Sequence, residues 1–185
     1  MSSPDFEALA AKVQGLVDVE EIKRLKNAYF RCIDTANIDE LRELLTEDYS
    51  CSCIGGDYEY TASGREQFLE MTRDSFNSKM VTQHNAHGPE IDLLSPTGAT
   101  GLWYFSDQVY NFFTKEFLMG TGLYRDRYVK QEGRWKIEHA AYERVYEVTE
   151  TLPRPPHLTA HYLGEHGKQL PDSAVYQPDT GLSEY

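Results

Sequence analysis

Hydrophobic positions in the first third of the chain recur at helical intervals. Over residues 5–16, Phe6, Leu9, Ala10 and Val13 share one face and predict a short amphipathic helix. A second helix is predicted from Asp18, where Asp18 and Glu21 have capping-box spacing; its apolar stripe is Ile22, Leu25, Tyr29, Cys32 and Ile33. A third, over 38–45, follows Asn37 and turns Leu41, Leu44 and Leu45 inward. The stretch DYSCSCIGGDYEYTAS has strand character and breaks at Gly55-Gly56-Asp57, which predicts a hairpin. Ser63 with Glu66 reads as another capping box, opening a helix that carries Phe68, Met71 and Phe76.

Beyond residue 80 the character changes to strands. Four segments, 81–94, 99–113, 117–130 and 134–148, are separated by SPTG, a turn at Thr114-Lys115-Glu116, and QEGR. Helices first and antiparallel strands afterwards predict the α+β class, with a strongly curved sheet wrapped over the helices. From residue 152 the chain is rich in Pro and Gly and loses periodicity, so it reads as a disordered tail or an arm on a neighbouring subunit. The expected organisation is a helical extension over 1–16, one domain over 17–150 and a tail over 151–185.

Composition narrows the partners. The net charge of −12 comes from acidic residues spread along the chain, which opposes a phosphate backbone or an anionic membrane surface. No apolar run has membrane-spanning length and the start is acidic, so a cytoplasmic location is expected. Thirteen Tyr and eight Phe allow a pocket lined by rings that carry hydroxyl donors. Cys32, Cys51 and Cys53 form no disulfide framework and read as small buried thiols. No glycine-rich phosphate loop and no metal-ligand cluster is present in the sequence, so no cofactor is expected.

Candidate chemistry centres on two strands. In GLWYFSDQVYNFF, Trp103, Phe105, Asp107, Val109 and Phe113 share a face, which sets a carboxylate into an apolar row. Burial without a partner would raise its pKa, so Asp107 is expected to have a function or a partner such as Arg125 or Arg127. His84 and His87 in TQHNAHGPEI point to opposite faces of a strand and cannot share a metal ion unless the strand bulges. Alternation from Ile91 and Leu93 places His87 inward, but Gly88-Pro89 can shift the phase. His139 shares a predicted face with Trp135 and Ile137 and reads as a core histidine. Asp34 reads as a helix-terminal residue, Tyr29 as core, and Gly120 and Gly122 as a bend or a close backbone approach.

Four segments in register, IKRLKNAYFRCIDTANIDEL, HNAHGPEI, TGLWYFSDQ and EGRWKIEHAAYERVYE, together resemble the SnoaL-like group of the nuclear-transport-factor-2-like superfamily, most closely its bile-acid dehydratase branch. The likeness spans residues 15 to 150. It implies a cone of three helices against a curved, mostly antiparallel sheet, with a pocket inside the cone. It implies a dehydratase with catalytic residues at Tyr29, Asp34, His84 and Asp107, and it selects His84 over His87. Cys53 stands where that branch has a pocket tyrosine, and the expected substrate contacts are Cys53, Trp103, Phe105 and Tyr142. The expected activity is cofactor-free elimination of water from a hydroxylated, carbonyl-activated cyclic compound, steroid-like or polyketide-like. A ketosteroid-isomerase-type proton shuttle and a structural subunit like those of ring-hydroxylating dioxygenases are the rival expectations. The resemblance also implies a homo-oligomer, a dimer or trimer.

Overall fold

The computed structural model describes residues 4–154 and 156–171. Its elements are α1 (Pro4–Asp34), α2 (Ile38–Leu44), β1 (Leu45–Ile54), β2 (Glu59–Ser63), α3 (Arg65–Ser75), β3 (Met80–Ser95), β4 (Gly98–Asn111), β5 (Glu116–Gln131), β6 (Arg134–Thr151) and α4 (Tyr162–His166). The six strands form one mixed sheet in the order β2-β1-β6-β5-β4-β3, with β1 and β6 parallel and the other pairs antiparallel. The sheet does not close: β2 and β3 are its two edges. The α+β expectation holds.

The first two predicted helices are one. Asp18 is not a cap but a buried residue within α1, and its Oδ1 accepts hydrogen bonds from Lys130, Gln14 and the Trp135 indole. Those donors pull its pKa below the ordinary carboxylate value although burial pushes the other way. Nothing in that arrangement interrupts the helix, so α1 runs for 31 residues. Its buried stripe is the predicted one: Ile22, Leu25, Tyr29, Cys32 and Ile33. Asn37 caps α2 as expected, its side chain accepting from the Glu40 N–H. The Ser63–Glu66 capping box does not form. Gly64 occupies the cap, and the Ser63 N–H donates to Gln67 instead.

Alternation predicts the buried face of β4, where Ala99, Gly101, Trp103, Phe105 and Asp107 all point inward. It fails on β6. A register shift between the Ile137 and His139 pairings turns His139 off the Trp135–Ile137 face, and Ala140 takes the buried position. His139 is therefore half-buried, with its Nδ1 on the Ser50 hydroxyl at 2.8 Å, rather than a core histidine. On β3 the slip occurs where Gly88-Pro89 allows it. Gly88 has φ +55° and the register shifts between His87 and Glu90.

The chain after β6 returns to its own domain. His161 reaches the Met80 carbonyl, Lys168 pairs with Asp74, the Ser78 N–H donates to the Lys168 carbonyl, and Leu163 is buried. The 157–171 part of the expected tail thus straps the connection between α3 and β3. Residues 155 and 172–185 of that tail lie outside the described residues.

Gly122 permits the central packing. A Cβ there would stand 2.4 Å from the Phe105 ring and 2.6 Å from the Glu143 carbonyl oxygen. Gly122→Ala should therefore destabilise the protein by about 1–3 kcal/mol, the usual cost of forcing a methyl into a packed core. Urea unfolding of the variant against wild type measures it.

Candidate active site

A cavity of about 230 Å³ opens between α1, α3 and the concave face of the sheet. Its wall consists of Tyr29, Ile33, Cys53, Tyr58, Tyr60, Phe68, Met71, Ser75, Phe76, His84, Tyr124 and Tyr142. Both sheet edges contribute, Tyr60 from β2 and His84 from β3, so the sheet curls round the space. The ring-lined pocket expected from the aromatic content is present, and among the described residues no aspartate or glutamate lines it.

His84 enters at the β3 edge. Its ring stacks on Phe30 at 5.6 Å and meets Phe76 at 6.1 Å. Behind it, Asp34 ends α1 and accepts three hydrogen bonds from β3. They come from the Thr82 hydroxyl at 2.8 Å, the His84 backbone N–H at 2.9 Å and the His84 Nδ1 at 2.6 Å. A carboxylate oxygen accepts, so in the neutral imidazole Nδ1 carries the proton and Nε2 the lone pair. Asp34 itself lies outside the cavity wall, facing a second, polar recess with Asn27, Gln83 and Asn85. His87 lies on the opposite face of β3, stacked on Tyr104 at 5.8 Å.

Asp107 is cross-strand from His84 but does not line the cavity. Both its oxygens accept from Arg144, Oδ1 from Nη1 at 2.6 Å and Oδ2 from Nη2 at 2.8 Å. The partner is neither Arg125 nor Arg127, because those residues sit on the outer face of β5. Asp107 is therefore bound to Arg144 rather than to His84 or Tyr29. Gly120 makes the pair possible. It stands between Asp107 and β6, and a Cβ there would come within 3.2 Å of Arg144 Nη1.

From Arg144 a chain of donors leads into the cavity. Arg144 Nη2 donates to the Tyr58 hydroxyl at 3.2 Å, and Tyr58 and Tyr142 share a hydrogen bond of 2.7 Å. Arg144 thus touches Tyr58, and Tyr58 touches Tyr142 in a bond that either hydroxyl can donate, so the cation is linked to the cavity wall through two phenols. Burial pulls the Arg144 pKa down, but its bonds to Asp107 outweigh that, so the cation persists. Burial likewise pushes the phenols of Tyr29, Tyr124, Tyr142 and Tyr58 up, which keeps them as neutral donors. The Tyr29 hydroxyl lies 3.4 Å from that of Tyr49. The Cys53 thiol is pushed up by its hydrogen bond with Cys51 and by burial, so it stays protonated.

Of the residues predicted from sequence, Tyr29, His84, Cys53 and Tyr142 line the cavity, and Asp34 and Asp107 stand one contact behind it. Trp103 and Phe105 do not line it. Trp103 donates to the Tyr128 hydroxyl in the core, and Phe105 packs behind Tyr124 and Tyr142. Tyr58 and Arg144 were missed. The signal for Arg144 was present: it follows Tyr142 by two on a strand, and a buried aspartate needed a cation.

Residues 14–141 match the family model of the SnoaL-like domain. A scytalone dehydratase-like protein from Novosphingobium aromaticivorans superposes with a TM-score of 0.67 at 20% identity, covering 78% of this chain and 99% of its own. A hexachlorocyclohexane dehydrochlorinase of type 3 from Novosphingobium barchaimii gives 0.67 at 15% identity, covering 78% and 99%. A nuclear-transport-factor-2-like protein with a cystatin-like fold, also from N. aromaticivorans, gives 0.61 at 19%, covering 78% and 92%. At these identities the likeness is one of fold.

Arg144→Met should cost about 3–5 kcal/mol, because it strands a buried carboxylate. The double variant Arg144→Met/Asp107→Leu should regain only part of that loss, because Glu147, 2.8 Å from Arg144 Nε, stays without its cation. Denaturant midpoints of the two variants check both statements.

Proposed function

The chain belongs to the SnoaL-like domain family, and on that footing we propose that it is a cofactor-independent dehydratase. The reaction is loss of water from a hydroxylated ring compound activated by a carbonyl group. One observation carries the reading: the His84 imidazole stands in the cavity wall with Nδ1 fixed on Asp34 and Nε2 unengaged. Among the described residues no carboxylate joins it there, which counts against an isomerase that uses an acid as its base. Two of the fold neighbours bear the names of elimination enzymes, a dehydratase and a dehydrochlorinase.

In this mechanism His84 Nε2 removes the proton beside the carbonyl, and Asp34 stabilises the imidazolium. The C–H electron pair moves to the carbonyl oxygen as an enolate. Tyr142 meets that charge, polarised through Tyr58 by Arg144. As the enolate collapses, the C–O bond breaks. The imidazolium returns its proton to the departing hydroxyl, Tyr29 donates to the same oxygen, and water and the unsaturated product leave. The base is restored without any external reactant.

Cavity size narrows the substrate. A cavity of about 150 Å³ holds one benzene, so about 230 Å³ encloses roughly nine heavy atoms by proportion. That fits a substituted single ring or a compact bicycle, whereas a steroid would leave most of its skeleton outside. Of the two expected classes, the polyketide-like one is therefore favoured. Among the described residues no helix is long and apolar enough to cross a membrane. The outer face of β4–β6 exposes Tyr104, Met119, Tyr146 and Val148, and the proposal includes a homo-oligomer, dimer or trimer, that covers them.

Mass spectrometry of β-hydroxy ketones incubated with the protein tests the reading. Loss of 18 mass units, one water by its formula and ~18 Da in the spectrum, is expected for mono- and bicyclic compounds and not for tetracyclic ones. His84→Ala should lower the rate by about 10² to 10⁴. Asp34→Asn, which removes the acceptor that sets the tautomer, should lower kcat by a similar factor with little change in KM. Water loss undiminished in His84→Ala would sink the mechanism.

A further inference from the structure

Two buried ions behind the cavity wall have no part in the steps above. The side chains of Lys26 and Asp126 have no exposed surface, and the ion pair between them measures 2.8 Å. Burial draws the Lys26 pKa below its ordinary value, and the Asp126 charge and hydrogen bond offset that pull in part.

The pair has a direction. At one end, the Lys26 ammonium lies 3.6 Å from the Tyr124 ring centroid and 4.8 Å from that of Tyr29, and both rings line the cavity. It also lies 4.9 Å from the centroid of Phe30, the ring on which His84 stacks. At the other end, Asp126 accepts from the Tyr128 hydroxyl at 2.6 Å, which accepts from the Trp103 indole at 2.9 Å. Neither Tyr128 nor Trp103 touches the cavity. The positive end therefore faces the wall and the negative end faces the core. Neither side chain of the pair has exposed surface, so its field is screened less than it would be at the protein surface.

We propose that this oriented ion pair makes the cavity selective for planar oxyanions, so that it holds the enolate or phenolate of a small ring compound in preference to the neutral acid. This rests on the cavity being the substrate site, and it specifies the charge state of the ligand bound there. Lys26 touches no substrate. It acts through the rings of Tyr124 and Tyr29 and is a positioning residue, one that lowers the cost of the enolate as His84 creates it. The other ionisable groups behind the wall, Asp34 with His84 and Arg144 with Asp107 and Glu147, remain in place when this pair is removed.

The test uses 4-nitrophenol, whose ionisation is read by visible absorbance, bound to the full-length protein. In wild type the bound dye should titrate about one unit or more below the free dye, a tenfold preference for the phenolate. Lys26→Met/Asp126→Asn removes both charges and leaves Tyr128 an acceptor. In that variant the bound dye should titrate at or above its free value. An unchanged dye pKa in the double variant, a wild-type value no lower than that of free dye, or no binding at all would overturn the proposal. A second measurement needs no variant: 4-nitrophenolate should bind wild type at least about tenfold more tightly than neutral 4-nitroanisole, and equal affinities would equally overturn it. Neither measurement involves loss of water, so failure of the dehydratase reading and failure of this inference are distinguishable.

Discussion

The three hydrogen bonds that Asp34 accepts from β3 join the fold to its candidate chemistry. Asp34 ends α1, where the helix dipole already presents partial negative charge, and a carboxylate there is locally unfavourable. Donors from an edge strand offset that cost. The bonds pin the end of a 31-residue helix against β3, and α2 leaves immediately afterwards through Ala36, held at φ +48°. The same atoms fix the rotation of the His84 ring. A residue that violates a local rule and is rescued by a distant strand is where sequence reasoning from helix propensity stops.

That limit recurs along the chain. The α+β class, the buried stripe of α1 and the inward row of β4 were legible because period and burial agree there. The Asn37 cap was legible because a side chain and the neighbouring backbone suffice to form it. The break expected near Asp18 was absent, since Lys130 and Trp135, more than a hundred residues away, satisfy that carboxylate inside the helix. Strand phase was readable only up to the first irregularity. A slip at Gly88-Pro89 brings His84 inward, and another near residue 138 sends His139 outward. Resemblance resolved the first and alternation misjudged the second. Gly120 and Gly122 correctly signalled close approach, but the approaching groups are Arg144 and Phe105 rather than a ligand.

Among the described residues no aspartate or glutamate stands in the wall of the cavity, while four carboxylates stand behind it, each held by a donor: Asp34 by His84, Asp107 and Glu147 by Arg144, and Asp126 by Lys26. A carboxylate in the wall would repel an enolate and would compete with the imidazole for the same proton. One placed behind a donor keeps that donor oriented and, for a cation, charged. Burying ion pairs is costly in stability and often replaceable by apolar packing. Their presence around this space is better explained by what they impose on the wall than by what they add to the fold.

The same arrangement bears on which reaction the site can complete. An isomerase must return the proton to a second carbon of the substrate, which calls for a base able to reach two positions. His84 is held through Nδ1, flanked by Phe30 and Phe76, and has little freedom to swing. A fixed base suits a proton that leaves one carbon and is returned to a departing hydroxyl nearby. That geometry favours removal and return on one face of the ring, and the enolate between the two steps needs stabilisation from the rest of the wall. In the proposed mechanism the Arg144–Tyr58–Tyr142 chain would reach that oxygen by hydrogen bonding and the Lys26 ammonium by its field through two rings, so base and anion stabilisation would come from separate elements of the fold. That division of labour is what supports the proposal of water elimination.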